Sequence, residues 1–261
     1  MRLEQMNSNT KPNRQEMELL CKAAQLMLEN GSETYRVEET VLRMARGLRH
    51  EHTSIAAFPT SIFVEVDGCT HVRRISRRGT NTMRIAQVNE ISRRVEHGDM
   101  DAQAAMQALD EAARMPGVPQ RTLVFSYALA AASFSLLFGG DAGTFAAAFF
   151  IGMLVQAVQP LLIQGEMGAL FGNFAGGLLT AVLAQALHGL IPYGSVNAAI
   201  TGGIMPLLSG LLMTTAVRDT MYGDLISGMA RALEALLLAA SVALGVYTGL
   251  KLAAMMGGML L

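Results

Sequence analysis

Five of the eight ions that follow Arg121 crowd between Arg218 and Glu234: Arg218, Asp219, Asp224, Arg231 and Glu234, the others being Asp141, Glu166 and Lys251. Charges set among Leu, Ala, Gly, Met, Val and Phe are costly beside lipid, so they pair with one another or face a wet cavity. Arg231 and Glu234, three residues apart, share a helix face. Two chemistries fit such a cluster. It orients helix ends at the headgroup level through local pairing, or it lines a substrate vestibule or gate. Just before it, Gly202, Gly203, Pro206, Ser209 and Gly210 interrupt one hydrophobic segment, and Thr214 and Thr215 follow. Pro removes a helix N–H, and a helix broken within a membrane presents free N–H groups and a positive dipole end that can hold an anionic group. Breakers, threonines and ions together form the candidate substrate pathway.

The rest of the chain offers no competing chemistry. No phosphate-cradling loop, nucleophile elbow or paired zinc motif occurs in the charged N-terminal part, so neither an enzyme nor a metal or cofactor site is expected. Glu33 and His71 lack the partners a hydrolase would require. His50 and His52, flanking Glu51 on a polar connector, read as surface residues, and Cys21 and Cys69 as two buried thiols in a reducing compartment. Arg73, Arg74, Arg77 and Arg78, with Arg84, Arg93 and Arg94, suit anionic headgroups or acidic substrates better than nucleic acid, which is not an expected partner.

These residues need elements to hold them. Nearly all ions precede Arg121, which divides the chain into a water-soluble part, residues 1–121, and an apolar part, residues 122–261. The start of the chain shows no apolar run that would make a signal peptide, which places the first part in the cytoplasm. Helical spacing runs over Glu16–Glu29, stopped by Asn30 and Gly31, and over Thr34–Arg49. Alternation then marks strands at Thr53–Ala57, Ser61–Asp67 and Cys69–Ile75, with Asp67 and Gly68 as a hairpin turn. Helices over Asn81–Glu96 and Asp101–Arg114, the latter capped by Asp99 or Asp101, close an α+β domain of order helix, helix, three strands, helix, helix. Met115–Gln120 is the hinge.

A bilayer core requires roughly 20 apolar residues per crossing helix. About five stretches qualify, at about 122–138, 143–163, 169–190, 196–217 and 225–250. The turns between them are short: Gly139–Asp141, Gln164–Glu166 and Pro192–Gly194. Arg114, Arg121, Arg218 and Arg231 favour the cytoplasmic side, leaving Asp141 and the Pro192 turn outside and only Lys251 misplaced. The expectation is a multi-pass membrane protein, its α+β domain on the cytoplasmic side, followed by a bundle of about five transmembrane helices.

The sequence also resembles a known family. Gly31-Ser32-Glu33-Thr34 with Arg36, Val37 and Glu38, the Phe58-Pro59-Thr60 corner, Phe138-Gly139-Gly140, and Ala216-Val217-Arg218-Asp219 with Gly223-Asp224, Ser227-Gly228, Arg231 and Glu234-Ala235 look like the threonine/serine exporter family. The likeness runs from about Leu20 to Gly245 and is greatest to members carrying only the N-terminal half, such as the larger subunit of a two-component succinate exporter. It departs from the family pattern at Ser209 and Thr215. The resemblance implies secondary-type export of small carboxylate-bearing metabolites, threonine, serine or a dicarboxylate. It also implies a partner, a small multi-span membrane subunit, and leaves room for a homo-oligomer. Glu33, Thr34, Arg36, Glu38 and Thr60 become motif residues of the cytoplasmic domain. The competing reading is a membrane-anchored metabolite sensor or regulatory binding module.

Overall fold

Helix α1 (Arg14–Glu29) is apolar around most of its circumference, and Leu19, Leu20, Ala23, Ala24 and Met27 are all buried. A helix of that character belongs inside a core. Helices α2 (Thr34–Gly47), α3 (Thr82–Glu96) and α4 (Ala102–Arg114) pack on it. Strands β1 (Thr53–Phe58), β2 (Ser61–Val66) and β3 (Cys69–Arg74) make an antiparallel sheet in the order β1-β2-β3. Ile62, Val64 and Val66 turn inward from β2, while Phe63 and Glu65 between them are exposed. The hairpin turn forms at Asp67 and Gly68, both with positive φ, as a tight two-residue turn requires. Asn81 caps α3 by accepting from the Arg84 N–H, and Asp101 caps α4 by accepting from that of Ala104.

The computed structural model describes residues 14–76, 79–163 and 168–258. Arg77 and Arg78 of the basic cluster, and the expected turn Gln164–Glu166, lie outside the described residues.

The chain divides into two compact units. The first joins Met1–Gly117 to Thr214–Ala232, and the second joins Val118–Met213 to Leu233–Leu261. Two helices therefore cross the division. α9 (Gly210–Met221) belongs to the first unit from Thr214 onward, and α10 (Leu225–Gly258) belongs to it as far as Ala232.

The second unit holds α5 (Gln120–Leu137), α6 (Ala142–Leu162), α7 (Gly168–Leu190) and α8 (Val196–Ile204), with a 3-10 turn at Met205–Leu207. Its interior is rich in small residues, Ala128, Ala131, Ala132, Ala147 and Ala148, beside a few larger ones such as Ile151, Val155 and Leu207, while Phe125, Leu129, Phe150, Leu154, Phe171 and Leu244 point outward. A water-soluble unit would bury the large side chains; close-packed helices surrounded by lipid show this opposite arrangement. Three helices, Ala142–Leu162, Gly168–Leu190 and Leu225–Met255, are long and apolar enough to cross a membrane. A fourth crossing results if Val196–Leu207 and Gly210–Met221, bent by 54°, form one broken span. α5 does not meet the same test, since Gln120 and Arg121 occupy its first turn and shorten its apolar stretch. Pro160 removes the N–H that would bond the Gln156 carbonyl within α6, and the Gln120 side-chain amide donates to that oxygen instead, at 3.2 Å.

Two expectations are corrected. His50 is not a surface residue: 8% exposed, it has Nδ1 2.8 Å from Asp67 Oδ2 and Nε2 3.1 Å from Glu16 Oε2. The connector after α2 folds inward, between the start of α1 and the hairpin turn. Cys21 is buried, and desolvation pushes its thiol up to about 11, but Cys69 is exposed on β3.

Candidate functional site

Two helix stops build the site. At the end of α1, Gly31 takes φ +90°, Gly31 N donates to the Leu28 carbonyl and Ser32 N to that of Met27. At the end of α9, Gly223 takes φ +95°, Gly223 N donates to the Thr220 carbonyl and Asp224 N to that of Asp219. Both are left-handed glycine terminations that reverse the chain abruptly, a conformation that a Cβ would strain. The residues that follow each stop, Ser32-Glu33-Thr34 and Asp224, meet in the first unit.

Asp219 is the centre. It is fully buried, and its Oδ1 accepts from Thr34 N at 3.0 Å and from Thr34 Oγ1 at 2.9 Å. Glu33, at the N-cap of α2, makes no side-chain cap bond, so Asp219 supplies from a distant segment the negative charge that a helix N-terminus attracts. The same Thr34 hydroxyl lies 2.6 Å from Asp224 Oδ2. One hydroxyl proton therefore stands between two carboxylates. Arg231, 6% exposed, brings Nε to 3.1 Å from Asp219 Oδ2, an ion-pair contact rather than an aligned hydrogen bond, and donates from Nη2 to the Ser32 carbonyl at 2.8 Å.

A second ion pair sits beside the first. Arg218 Nη1 donates to Glu33 Oε1 at 2.7 Å, and Arg36 Nη1 is 3.5 Å from Glu33 Oε2. The Arg218 side chain is 57% exposed, so it can present donors to a solute in a way that Arg231 cannot. Burial acts to raise the Glu33 carboxyl. Its own backbone N–H, the Arg218 hydrogen bond and the charges of Arg36 and Arg218 outweigh that and hold it below the usual glutamate value. Glu38 is shifted the other way, raised first by burial and further by the charges of Asp224 and Asp219, against the opposing Ala57 N–H bond at 2.9 Å. The rings of Tyr35 and Tyr222 stack at 3.9 Å and 10° along the edge of the cluster.

The sequence candidates thus separate into two places. Glu33, Thr34, Arg36, Arg218, Asp219, Asp224 and Arg231 come together, with Glu38 close enough to sense the two aspartates. Thr60 lies in the β1–β2 turn, where its carbonyl accepts from Ile75 N. Thr214, exposed, and Thr215, buried, lie one to two turns before Asp219 on α9. Gly202, Pro206, Ser209 and Gly210 belong to the second unit, as does Glu234. Gly202 rests on α5, where a Cβ would stand 2.5 Å from the Ala131 carbonyl oxygen. Pro206 is inside the 3-10 turn, Ser209 in the break and Gly210 at the start of α9. Sequence reasoning missed the Ser32 carbonyl and the Tyr35–Tyr222 stack. The signal both share is an adjacent helix-stop glycine: Ser32 directly follows Gly31 and Tyr222 directly precedes Gly223.

The ThrE family, described as threonine/serine exporter, matches residues 18–253 of this chain. The chain belongs to the threonine/serine exporter family. That family consists of membrane exporters, not enzymes, and the apolar helices make this member a multi-pass membrane protein. It is 25% identical to the "Probable threonine/serine exporter" of Mycobacterium tuberculosis, over 91% of this chain and 46% of that protein. It is 24% identical to the "Threonine/serine exporter" of Corynebacterium glutamicum, over 94% of this chain and 52% of that protein. The chain therefore spans about half the length of these two relatives. It is also 25% identical to the "Probable succinate transporter subunit YjjP" of Klebsiella aerogenes, over 90% of this chain and 92% of that protein. No solved structure matches.

Proposed function

We propose that this chain is one subunit of a secondary-type exporter that moves small carboxylate-bearing metabolites, threonine and serine or a dicarboxylate such as succinate, out across the cytoplasmic membrane. The α+β domain, 1–121, lies in the cytoplasm and 122–261 forms about five transmembrane helices, with α5 as the first. A second, small multi-span subunit completes the transporter. What supports a partner is the relative named as a transporter subunit, which this chain matches over 92% of that protein.

The observation that carries the reading is the docking of the α9–α10 turn on the start of α2 through Asp219 and Thr34. α9 and α10 are the helices that run from this cluster into the apolar unit. Buried ion networks add little net stability, yet they are costly to break and suit a two-position contact. The cluster is thus a gate at the cytoplasmic mouth. Exposed Arg218 and half-exposed Arg36 receive the solute's carboxylate, and Gly202, Pro206, Ser209, Gly210, Thr214 and Thr215 are proposed as further substrate-pathway residues. The test is metabolite efflux from cells that make the chain with its companion subunit, compared with cells lacking the chain. Release of threonine, serine or succinate that depends on the chain is expected. Equal release from both cells, with the chain in the membrane, would contradict the proposal.

A further inference from the structure

Helices α5 and α6 leave a groove of about 360 Å³ between them. Arg121, Val124 and Phe125 line it from α5 at helical spacing, and Phe149, Met153 and Ala157, four apart, line it from α6, so each set shares one helix face. A side-chain bond sets the levels. The Gln120 amide donates to the Gln156 carbonyl, which Pro160 leaves without its helix partner, and this brings Arg121 near Ala157. At the other end the rings of Phe125 and Phe149 meet edge to face, with centroids 6.0 Å apart. The groove therefore has one charged end and an apolar length.

Its size and charge restrict what can fill it. One turn of a helix, roughly 10 Å across with a 5.4 Å rise, takes up about 420 Å³, more than the whole groove, so a partner's helix cannot enter. A slender chain can. Arg121 is exposed, no carboxylate pairs with it among the described residues, and no acidic residue lines the groove. A guanidinium presents its donors as a planar fork that matches a phosphate, and basic pockets between membrane helices take lipid headgroups. A phospholipid brings both parts in the right order, a phosphate at the headgroup level and an acyl chain directed into the bilayer.

We infer that the α5–α6 groove is a lipid site, in which the phosphate of an anionic phospholipid sits on Arg121 and one acyl chain runs past Val124 and Met153 toward Phe125 and Phe149. The inference goes beyond the transport reading and rests only on its placement of α5 as a transmembrane helix. A zwitterionic phosphatidylcholine carries the same phosphate with a choline cation that Arg121 repels. The site therefore favours phosphatidylglycerol.

The experiment is thermal unfolding of the purified full-length chain in detergent with added dioleoylphosphatidylglycerol, dioleoylphosphatidylcholine or glycerol 3-phosphate. Phosphatidylglycerol is expected to raise the melting temperature saturably, phosphatidylcholine less, and glycerol 3-phosphate, which has no chains, not at all. Arg121→Gln should raise the apparent Kd for phosphatidylglycerol about ten-fold, the loss of one charged hydrogen bond. Lys251→Gln removes a cation of α10 outside the groove and should leave that Kd unchanged. Ala157→Phe keeps Arg121, fills the groove and should weaken both lipids, which keeps the test usable if the arginine variant fails to fold. Equal stabilisation by the two lipids, equal effects of Arg121→Gln and Lys251→Gln, or wild-type lipid affinity in Ala157→Phe would each overturn the site. The placement of α5 is read separately, from Phe125→Cys in a Cys69→Ser background in membrane vesicles. Protection from a water-soluble maleimide, with no effect of phosphatidylglycerol, would overturn the lipid site alone, whereas labelling would overturn the placement of α5 and the site with it.

Discussion

Asp219 accepts two hydrogen bonds from Thr34, from its backbone nitrogen at 3.0 Å and its hydroxyl at 2.9 Å, and so caps helix α2 from a residue on α9. The cap is fully buried and shares its carboxylate with Arg231. Removing it exposes two groups at once, the α2 N-terminus and a buried guanidinium. Asp219→Ala should therefore destabilise the first unit by about 3–5 kcal/mol, the cost of leaving a buried charge unpaired. Asp219→Asn retains an acceptor for Thr34 and should cost less. Thermal unfolding of both variants checks the order.

Thr34→Val removes the hydroxyl that bridges Asp219 and Asp224 and keeps the backbone N–H bond. The two carboxylates then face each other without a donor between them. A loss of about 1–3 kcal/mol is expected, with Thr34→Ser close to wild type because it restores the hydroxyl. A valine variant as stable as the serine one would contradict this role.

Glu33 and Glu38 should show opposite pH behaviour. The folded-state value of Glu33 lies below its unfolded value, so its ionised form contributes stability in full above about pH 4.3, and that contribution is lost as pH falls through the lower folded value. Glu33→Gln should flatten the acid side of the stability curve. For Glu38 the folded value lies above the unfolded one, so its favourable contribution is present below about pH 4.3 and is lost as pH rises through the folded value. Glu38→Gln, which can still accept from Ala57 N, should then raise the melting temperature at pH 7, with the gain shrinking toward pH 4. Melting curves of both variants across that range read the two slopes.

Gly223→Ala tests how the turn holds the site. With φ at +95°, any Cβ strains the backbone, by about 1–2 kcal/mol, and the strain falls on the residue directly before Asp224. No atom stands in the way of that Cβ, so the cost is conformational rather than steric. Lower stability with the Asp224–Thr34 contact loosened is expected, and hydrogen exchange at the start of α10 would report it.

Much of this was legible in the sequence because it is local. The Asp67–Gly68 turn, the Asp101 cap and the glycine stop at Gly31 each depend on a few neighbouring residues. The break at Pro206 and Ser209 was legible for the same reason, since Pro lacks the N–H that a helix needs. What could not be read was that Ser32-Glu33-Thr34 and Arg218-Asp219 form one site. Periodicity carries no information about segments that far apart in the chain. His50 was misread because its partners, Glu16 and Asp67, come from two other elements.

The most direct measurement is efflux of preloaded threonine, serine or succinate from cells making the chain with its companion subunit, comparing wild type with Asp219→Ala and Arg231→Ala at matched membrane levels. If the buried cluster is the working gate, both variants insert and neither exports. Efflux at the wild-type rate from both variants would contradict it.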